Sequence, residues 1–458
     1  MSSLTDSRPL AGRVPFRAVA YFLVAVSLAG ALLVFAGHLM TWAAASTSSQ
    51  AVPLFLAQET SGVLTVDSSA DAGDPLPGDG SCDDGSGACT LRAAIEEANA
   101  LEGREAIVFA IPGEGPHLIQ PASPLPSLTE PVVLDATSAP GYAGVPVVVL
   151  DGSRAGRGVS GLTVAGGDSV VRGLSIQHFD YSAIHITGDG HNRIEANHLG
   201  AGSAGAPGTG SEIGVLVDGS AENVIGGTAE GQGNVIAGNQ VGVYLYGQGA
   251  SSNVVLGNTI GADAAGTSAP GNRYGVRVTN AAGNLIGGTE PGARNVITGN
   301  ETGVYIAGRG ASGNRVQGNL LGLDATGRIA LPNGKGIYVN DAPGNLLGGL
   351  ETGSGNAIVA RDVGVTLRGS GANGNQVQGN NIGRDAMGAV VSERPDSGVT
   401  VVDAGNNVVG GVDSGAGNRI ASQVFGVYVR GPEAASNQVT GNAIDVADEA
   451  LEGAGASS

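Results

Sequence analysis

Five asparagines, Asn192, Asn253, Asn314, Asn375 and Asn437, open the same line, N-x-[IV]-x-[AG]-N, at spacings of 61, 61, 61 and 62 residues. A second set, Asn223, Asn284, Asn345 and Asn407, falls between them and opens N-[LV]-[ILV]-G-G. Interleaved, the starts lie 30 to 32 residues apart. A unit of about 31 residues that alternates between two forms means stacked supersecondary repeats, not one globular core.

Each unit breaks into three short apolar pieces divided by Gly, Asn, Pro and Ser, the punctuation of strands and turns. From Asn284 the pieces are LIG, NVIT and GVYIA; from Asn314 they are RVQG, RIAL and GIYV, with a longer loop before RIAL. No 3.6-residue period runs between them, which excludes leucine-rich and ankyrin-type arrays. The third residue of each unit is always aliphatic: Ile194, Ile225, Val255, Ile286, Val316, Leu347, Val377, Val409 and Val439. Its preceding neighbour can be Arg193, Arg315, Gln376 or Gln438. Successive strand residues point to opposite faces, so the aliphatic column faces inward. By the same parity Val243, Val304, Val365 and Val427 face in, and Tyr244, Tyr305, Thr366 and Tyr428 face out. A three-strand coil with aliphatic columns is a parallel β-helix. Coil starts near residues 107, 132 and 162, then at each of the asparagines, predict about eleven or twelve coils. Such a stack would be ~50 Å long at the inter-strand spacing. Asn suits the corners because it tolerates φ > 0. Stacked Asn side chains can also bond from coil to coil.

The composition supports an ordered fold. Gly makes up 80 of 458 residues, yet 41% of the chain is hydrophobic, enough for a core. No Gly-X-Y period is present, which excludes collagen. A formal charge of −19, with Lys335 the only lysine, makes nucleic acid a poor partner.

Residues 1–45 hold a targeting signal. Arg8, Arg13 and Arg17 precede twenty uncharged residues, 18–37, and Ala43, Ala44 and Ala45 follow. This describes either a cleaved secretory signal or a retained membrane anchor. Both place the remainder outside the cytoplasm, secreted or held in the cell envelope. Residues 46–106 form an N-terminal capping region, 107–446 the β-helix and 447–458 an acidic tail. In the capping region Cys82 and Cys89 sit in an Asp/Gly loop, and outside the cytoplasm such a pair forms a disulfide. The stretch TLRAAIEEANAL, Thr90 to Leu101, predicts one helix, with Thr90 as N-cap and Leu91, Ile95 and Ala98 on one face. It would plug the N-terminal end, where a solenoid otherwise exposes its core.

The stretch CTLRAAIEEANA from Cys89 resembles the CSLREA-type motif of bacterial exported proteins, with Ala93 where that motif has Glu. The region from about 107 to 445 resembles the right-handed parallel β-helix repeats of pectin-lyase-like proteins. The resemblance implies an all-β right-handed solenoid and an exported location. That fold hosts lyases, hydrolases, adhesins and passive stalks, so it leaves the activity open.

Three constellations are candidates for chemistry. His178, His185, His191 and His198 fall in one segment with Asp180, Asp189 and Glu195. If the coils bring His178, Asp180, His185 and Glu195 together, they form the acid–base set of a polysaccharide lyase or glycoside hydrolase. The outward Tyr244, Tyr305 and Tyr428, with Tyr246 and Tyr338 nearby, form a column on which sugar rings can stack. Asp263, Asp324 and Asp385 recur at one position, with Arg294 in the coil between the first two; ~9.6 Å between alternate coils favours a surface Asp–Arg–Asp ladder over a shared metal ion. No repeated metal-ligand spacing occurs. The nearest approach to a calcium loop is Asp79, Asp83 and Asp84 beside the cysteines. The sequence favours a structural, adhesive or glycan-binding surface protein over an enzyme, because its repeats are so alike. Its expected partners are polysaccharides or cell-surface glycans, and the membrane if the N-terminal segment is retained.

Overall fold

The structure, a computed structural model, describes residues 60–200, 210–264 and 270–447. The segment expected to be a signal or anchor lies outside them, as does the acidic tail beyond residue 447. Among the described residues no helix is long and apolar enough to cross a membrane.

The described residues wind through three parallel sheets of 13, 12 and 10 strands, in which spatial neighbours come from successive coils. One turn shows the pattern. Leu285–Gly287 lies in the first sheet, Val296–Ile297 in the second and Thr302–Ala307 in the third. The following coil repeats this with Arg315–Gln317, Leu320–Leu321 and Asn333–Asn340. Val255, Ile286, Val316 and Leu347 stand in register, one per coil, and all are fully buried. The predicted aliphatic columns are therefore the core of a right-handed parallel β-helix.

Three expectations about element placement are corrected. RIAL is not the second strand of the long unit. That strand is Leu320–Leu321, and Leu323 and Ala330 instead form an antiparallel bridge within a small hairpin. Arg384 and Val390 do the same two coils later. The hairpins lie on the outside of the second sheet, where Ala330, Ala386 and Val391 pack on Leu320, Leu323, Ala357 and Val359. Ala386 N–H donates to Gly327 O at 2.9 Å, joining one hairpin to the next. A hairpin that spans two rungs, ~9.6 Å, needs to recur only every second coil. That accounts for the alternation of long and short units. The start expected near 162 also shifts. Leu162–Val164 belongs to the third sheet, and the first-sheet strand of that coil is Val170–Arg172. The solenoid also begins before residue 107: β1, Gly62–Val66, pairs with β2, Glu105–Phe109.

Between them runs α1, Leu91–Ala100, with Thr90 Oγ1 accepting from Ala93 N–H. Leu91, Ala94, Ile95 and Ala98 are buried in the same core as the strands. Glu97 is fully buried and accepts from Gly78 and Gly80 N–H at 2.5 and 2.6 Å. Glu96 accepts from Asp74 N–H at 2.7 Å. These carboxylates pin the Asp/Gly loop across the helix, and a Cys82–Cys89 disulfide closes it, with Cα atoms 5.2 Å apart.

Asparagine forms ladders inside the corners. From Asn223 to Asn437 each Asn Oδ1 accepts the backbone N–H of the Asn one coil earlier, as between Asn253 and Asn284 at 2.8 Å. A second ladder climbs from Asn197 through Asn258 and Asn319 to Asn442. A third, unforeseen, links Asn239, Asn272, Asn300 and Asn333. Each of these four stands at a third-sheet corner, and the ladder ends where Asn333 meets Ala360. At the first corner Gly287 has φ +88°, and a Cβ there would lie 2.1 Å from Gln317 O. Only glycine permits rungs to stack this closely.

Candidate functional site: the outward face of the third sheet

In-register pairing sets the outward column of the third sheet. It reads Thr163, His185, Leu216, Tyr244, Arg277, Tyr305, Tyr338, Thr366, Thr400 and Tyr428. The rungs are ~4.8 Å apart, so adjacent rings touch. Tyr305 and Tyr338 stack with centroids 5.6 Å apart. Tyr274, in the neighbouring column, lies 5.2 Å from Tyr305. The Arg277 guanidinium carbon sits 4.7 Å from the Tyr244 centroid, 5.5 Å from Tyr274 and 5.9 Å from Tyr305. Toward the N-terminal end Ile213, Leu216 and Val241 pack under Tyr181, Tyr244 and Tyr274. Burial raises the Tyr305 pKa, and the neighbouring Tyr274 and Tyr338 add to this, so the ring is a neutral phenol at physiological pH. The face is a half-buried aromatic strip with a cation at its centre.

Of the three tyrosines singled out from sequence, Tyr244 and Tyr305 belong to this strip. Tyr428 does not. Thr366 and Thr400 separate it from Tyr338, and it stacks instead on Phe425 at 4.8 Å. Tyr274 and Arg277 escaped sequence reasoning because their coil, YGVRVT, carries its aromatic three residues earlier than GVYIA and GIYV do.

The histidine segment does not converge. His178 sits at the turn between Leu174–Gln177 of the second sheet and Ser182–Ile186 of the third, its Nδ1 2.8 Å from Asp151 Oδ2. Burial works to raise the Asp151 pKa, but hydrogen bonds from Ser153, His178 and Gln177 outweigh it and hold the carboxyl below its usual range. Asp180 accepts from Gly158 N–H at 2.7 Å. Glu195, on the first sheet, pairs with Arg193 at 2.7 Å and Arg172 at 3.6 Å. His191 pairs with Glu222 at the surface. His198 is buried on the second sheet, and burial lowers its pKa to about 4. Only His185 lies on the aromatic face. Its Nε2 is 3.9 Å from Asp218, its ring meets Tyr181 edge-on at 6.0 Å, and burial lowers its pKa against the opposing pull of Asp218.

Two of the column's three aspartates, Asp324 and Asp385, serve their own loops. Asp324 Oδ1 accepts from Arg328 and Ile329 N–H at 3.0 and 2.9 Å, and Asp385 Oδ1 from Met387 and Ala389 at 2.9 and 2.7 Å. Arg294 Nε donates to Gly318 O instead. Asp79, Asp83 and Asp84 likewise accept backbone N–H groups of their own turns. Among the described residues no group of three or more His, Cys, Asp or Glu is placed to hold a metal ion.

Fold and face together define a right-handed parallel β-helix with an aromatic strip along one sheet. No family model matches the chain, and no curated protein does. Among solved structures it is similar to an alginate lyase from Paenibacillus sp. str. FPU-7, at 16% identity over 75% of this chain and 92% of that one, with a TM-score of 0.30. It is also similar to a GH136 lacto-N-biosidase from Eubacterium ramulus, at 10% identity over 84% of this chain and 68% of that one, with a TM-score of 0.29. Likeness this distant carries no argument about activity.

Proposed function

We propose that this chain is an exported, cell-surface or secreted β-helix that binds glycan along the outward face of its third sheet. The observation that carries this reading is the continuous strip Tyr244, Arg277, Tyr305 and Tyr338, with Tyr274 beside it. Sugar rings present C–H faces that pack on aromatic rings, and a rung spacing of ~4.8 Å is close to the length of one sugar residue. The Cys82–Cys89 disulfide supports an oxidising compartment. So does the resemblance of the Cys89 segment to CSLREA-type exported proteins. The N-terminal segment would hold the rod at a membrane if it is retained, and the acidity of the chain argues against nucleic acid. A glycan array probed with the full-length chain tests the reading. Binding should appear for at least one polysaccharide class and fall at least tenfold in Tyr305→Ala. No binding to any glycan would leave a passive stalk.

A second reading, a polysaccharide lyase or glycoside hydrolase acting near residues 178–198, has one observation in its favour. His185, with Tyr181 and Asp218, stands on the same face and in the same column as the tyrosines. Product release on a polysaccharide panel should then vanish in His185→Ala. Absence of turnover on every polysaccharide removes this reading.

A further inference from the structure

We infer that the face reads negative charge through Arg277, so that its ligand is a polysaccharide carrying an oxyanion, a carboxylate or a sulfate ester, on its sugars. This rests on the glycan reading above and narrows it.

Among the described residues Arg277 lacks an acidic partner. The chain holds 41 Asp and Glu against 22 Lys and Arg, so an arginine has abundant acidic partners to choose from. Three other cations along this sheet have found partners, and Arg361 and Arg430 are exposed to water. Arg273 pairs with Glu301 at 3.6 Å, Lys335 with Asp362 at 3.3 Å, and Arg368 meets the Tyr338 hydroxyl at 3.5 Å. Arg277 meets only rings. Its Nε is buried with no hydrogen-bond partner, and its guanidinium lies against Tyr244, Tyr274 and Tyr305. Burial puts Nε out of a ligand's reach, so contact falls to the two Nη groups, whose planar fork matches the two oxygens of a carboxylate or sulfate. Packing by three rings fixes the fork before any ligand arrives, which reduces the ordering that binding requires.

The site is also placed for a sugar. Tyr244 and Tyr305 occupy the rungs on either side of Arg277 in one register column. A sugar stacked on either ring carries its exocyclic acid over the guanidinium. The formal charge of −19 repels a polyanion at long range. Binding of an acidic polysaccharide would therefore be local, not a general ion-exchange effect.

The test is calorimetric titration of the full-length chain with three groups of polymers. The carboxylated group is hyaluronan and alginate, the sulfated group dextran sulfate and carrageenan, and the neutral group dextran, xylan and galactan. The expected result is binding to at least one acidic polymer and tenfold or weaker binding to the neutral ones. Affinity should fall at least tenfold in Arg277→Gln, with partial recovery in Arg277→Lys, which keeps the charge but loses the fork. The carboxylated and sulfated arms show which oxyanion is read. Thermal unfolding of each variant establishes that it folds. If Arg277→Gln does not fold, a drop in wild-type affinity on adding inorganic sulfate serves as the second readout, and no drop overturns the inference. Binding to neutral polymers that Tyr305→Ala abolishes and Arg277→Gln leaves unchanged overturns the inference while the glycan reading stands. Absence of binding in all three groups overturns both.

Discussion

At the residue scale the most constrained side chains are the ladder asparagines, because each serves as acceptor for one coil and donor for another. Replacing Asn284 by Ala would leave the buried Asn253 N–H without its acceptor and remove the donation to Asn314. A buried donor left unpaired costs ~1–3 kcal/mol, so Asn284→Ala should lower stability by about 2–4 kcal/mol in chemical denaturation. Asn437→Ala, at the half-buried last rung, should cost clearly less; equal losses would contradict the ladder account. His198 gives a pH signature. Its folded pKa of about 4 lies below the ordinary histidine value, because burial disfavours the charged ring. A depressed histidine pKa means that the unfolded chain takes up the proton first. The contribution is thus complete above pH ~6.5 and is lost as pH falls toward 4, by an amount on the order of 3 kcal/mol. A His198→Gln variant should show a flatter stability profile between pH 4 and 6.5. A histidine NMR titration should find one ring that stays neutral down to about pH 4, and a normal midpoint for all six would contradict this assignment.

At the scale of elements, much was legible from the sequence and some was not, for identifiable reasons. Ile286 and Val316 are aliphatic at a fixed offset in every coil, and they proved to be fully buried. Thr90 and the Leu91–Ile95–Ala98 stripe announced the capping helix, because caps and period act locally. RIAL misled, since an apolar run of four residues reads the same as a strand or as a flap lying over one. Its true place depends on packing against Leu320 of its own coil and Ala357 of the next. The histidines misled in the opposite way. Nearness in sequence placed them together, but one coil of a three-sided solenoid sends His185, Glu195 and His198 to three different sheets. Tyr274 and Arg277 were hidden because their coil shifts the aromatic position. The buried glutamate of the cap offers a test of this level. Glu97→Gln keeps the size but weakens the bonds to Gly78 and Gly80, and bonds to a charged acceptor are worth ~1.5–3 kcal/mol. Faster proteolysis between residues 74 and 89 is expected, with the central coils unaffected.

At the scale of the whole molecule the two ends are unequal. The N-terminal end is closed by α1. At the other end the core positions Val429 and Val439 are 40% and 41% exposed, and Ile444 is 48% exposed. Stability in a solenoid is close to a sum of each unit and its neighbours, so an end coil with one neighbour should open first. Hydrogen exchange should be faster over 425–446 than over 284–340, and uniform protection would contradict this. Between the ends runs the aromatic strip, and the central claim is that glycan lies along it. Hydroxyl-radical footprinting of the full-length chain, with and without a polysaccharide that it binds, tests this most directly. The account predicts that Tyr244, Tyr305 and Tyr338 are protected together while Tyr428 is not. Protection confined to other residues, or none at a saturating concentration, would contradict it.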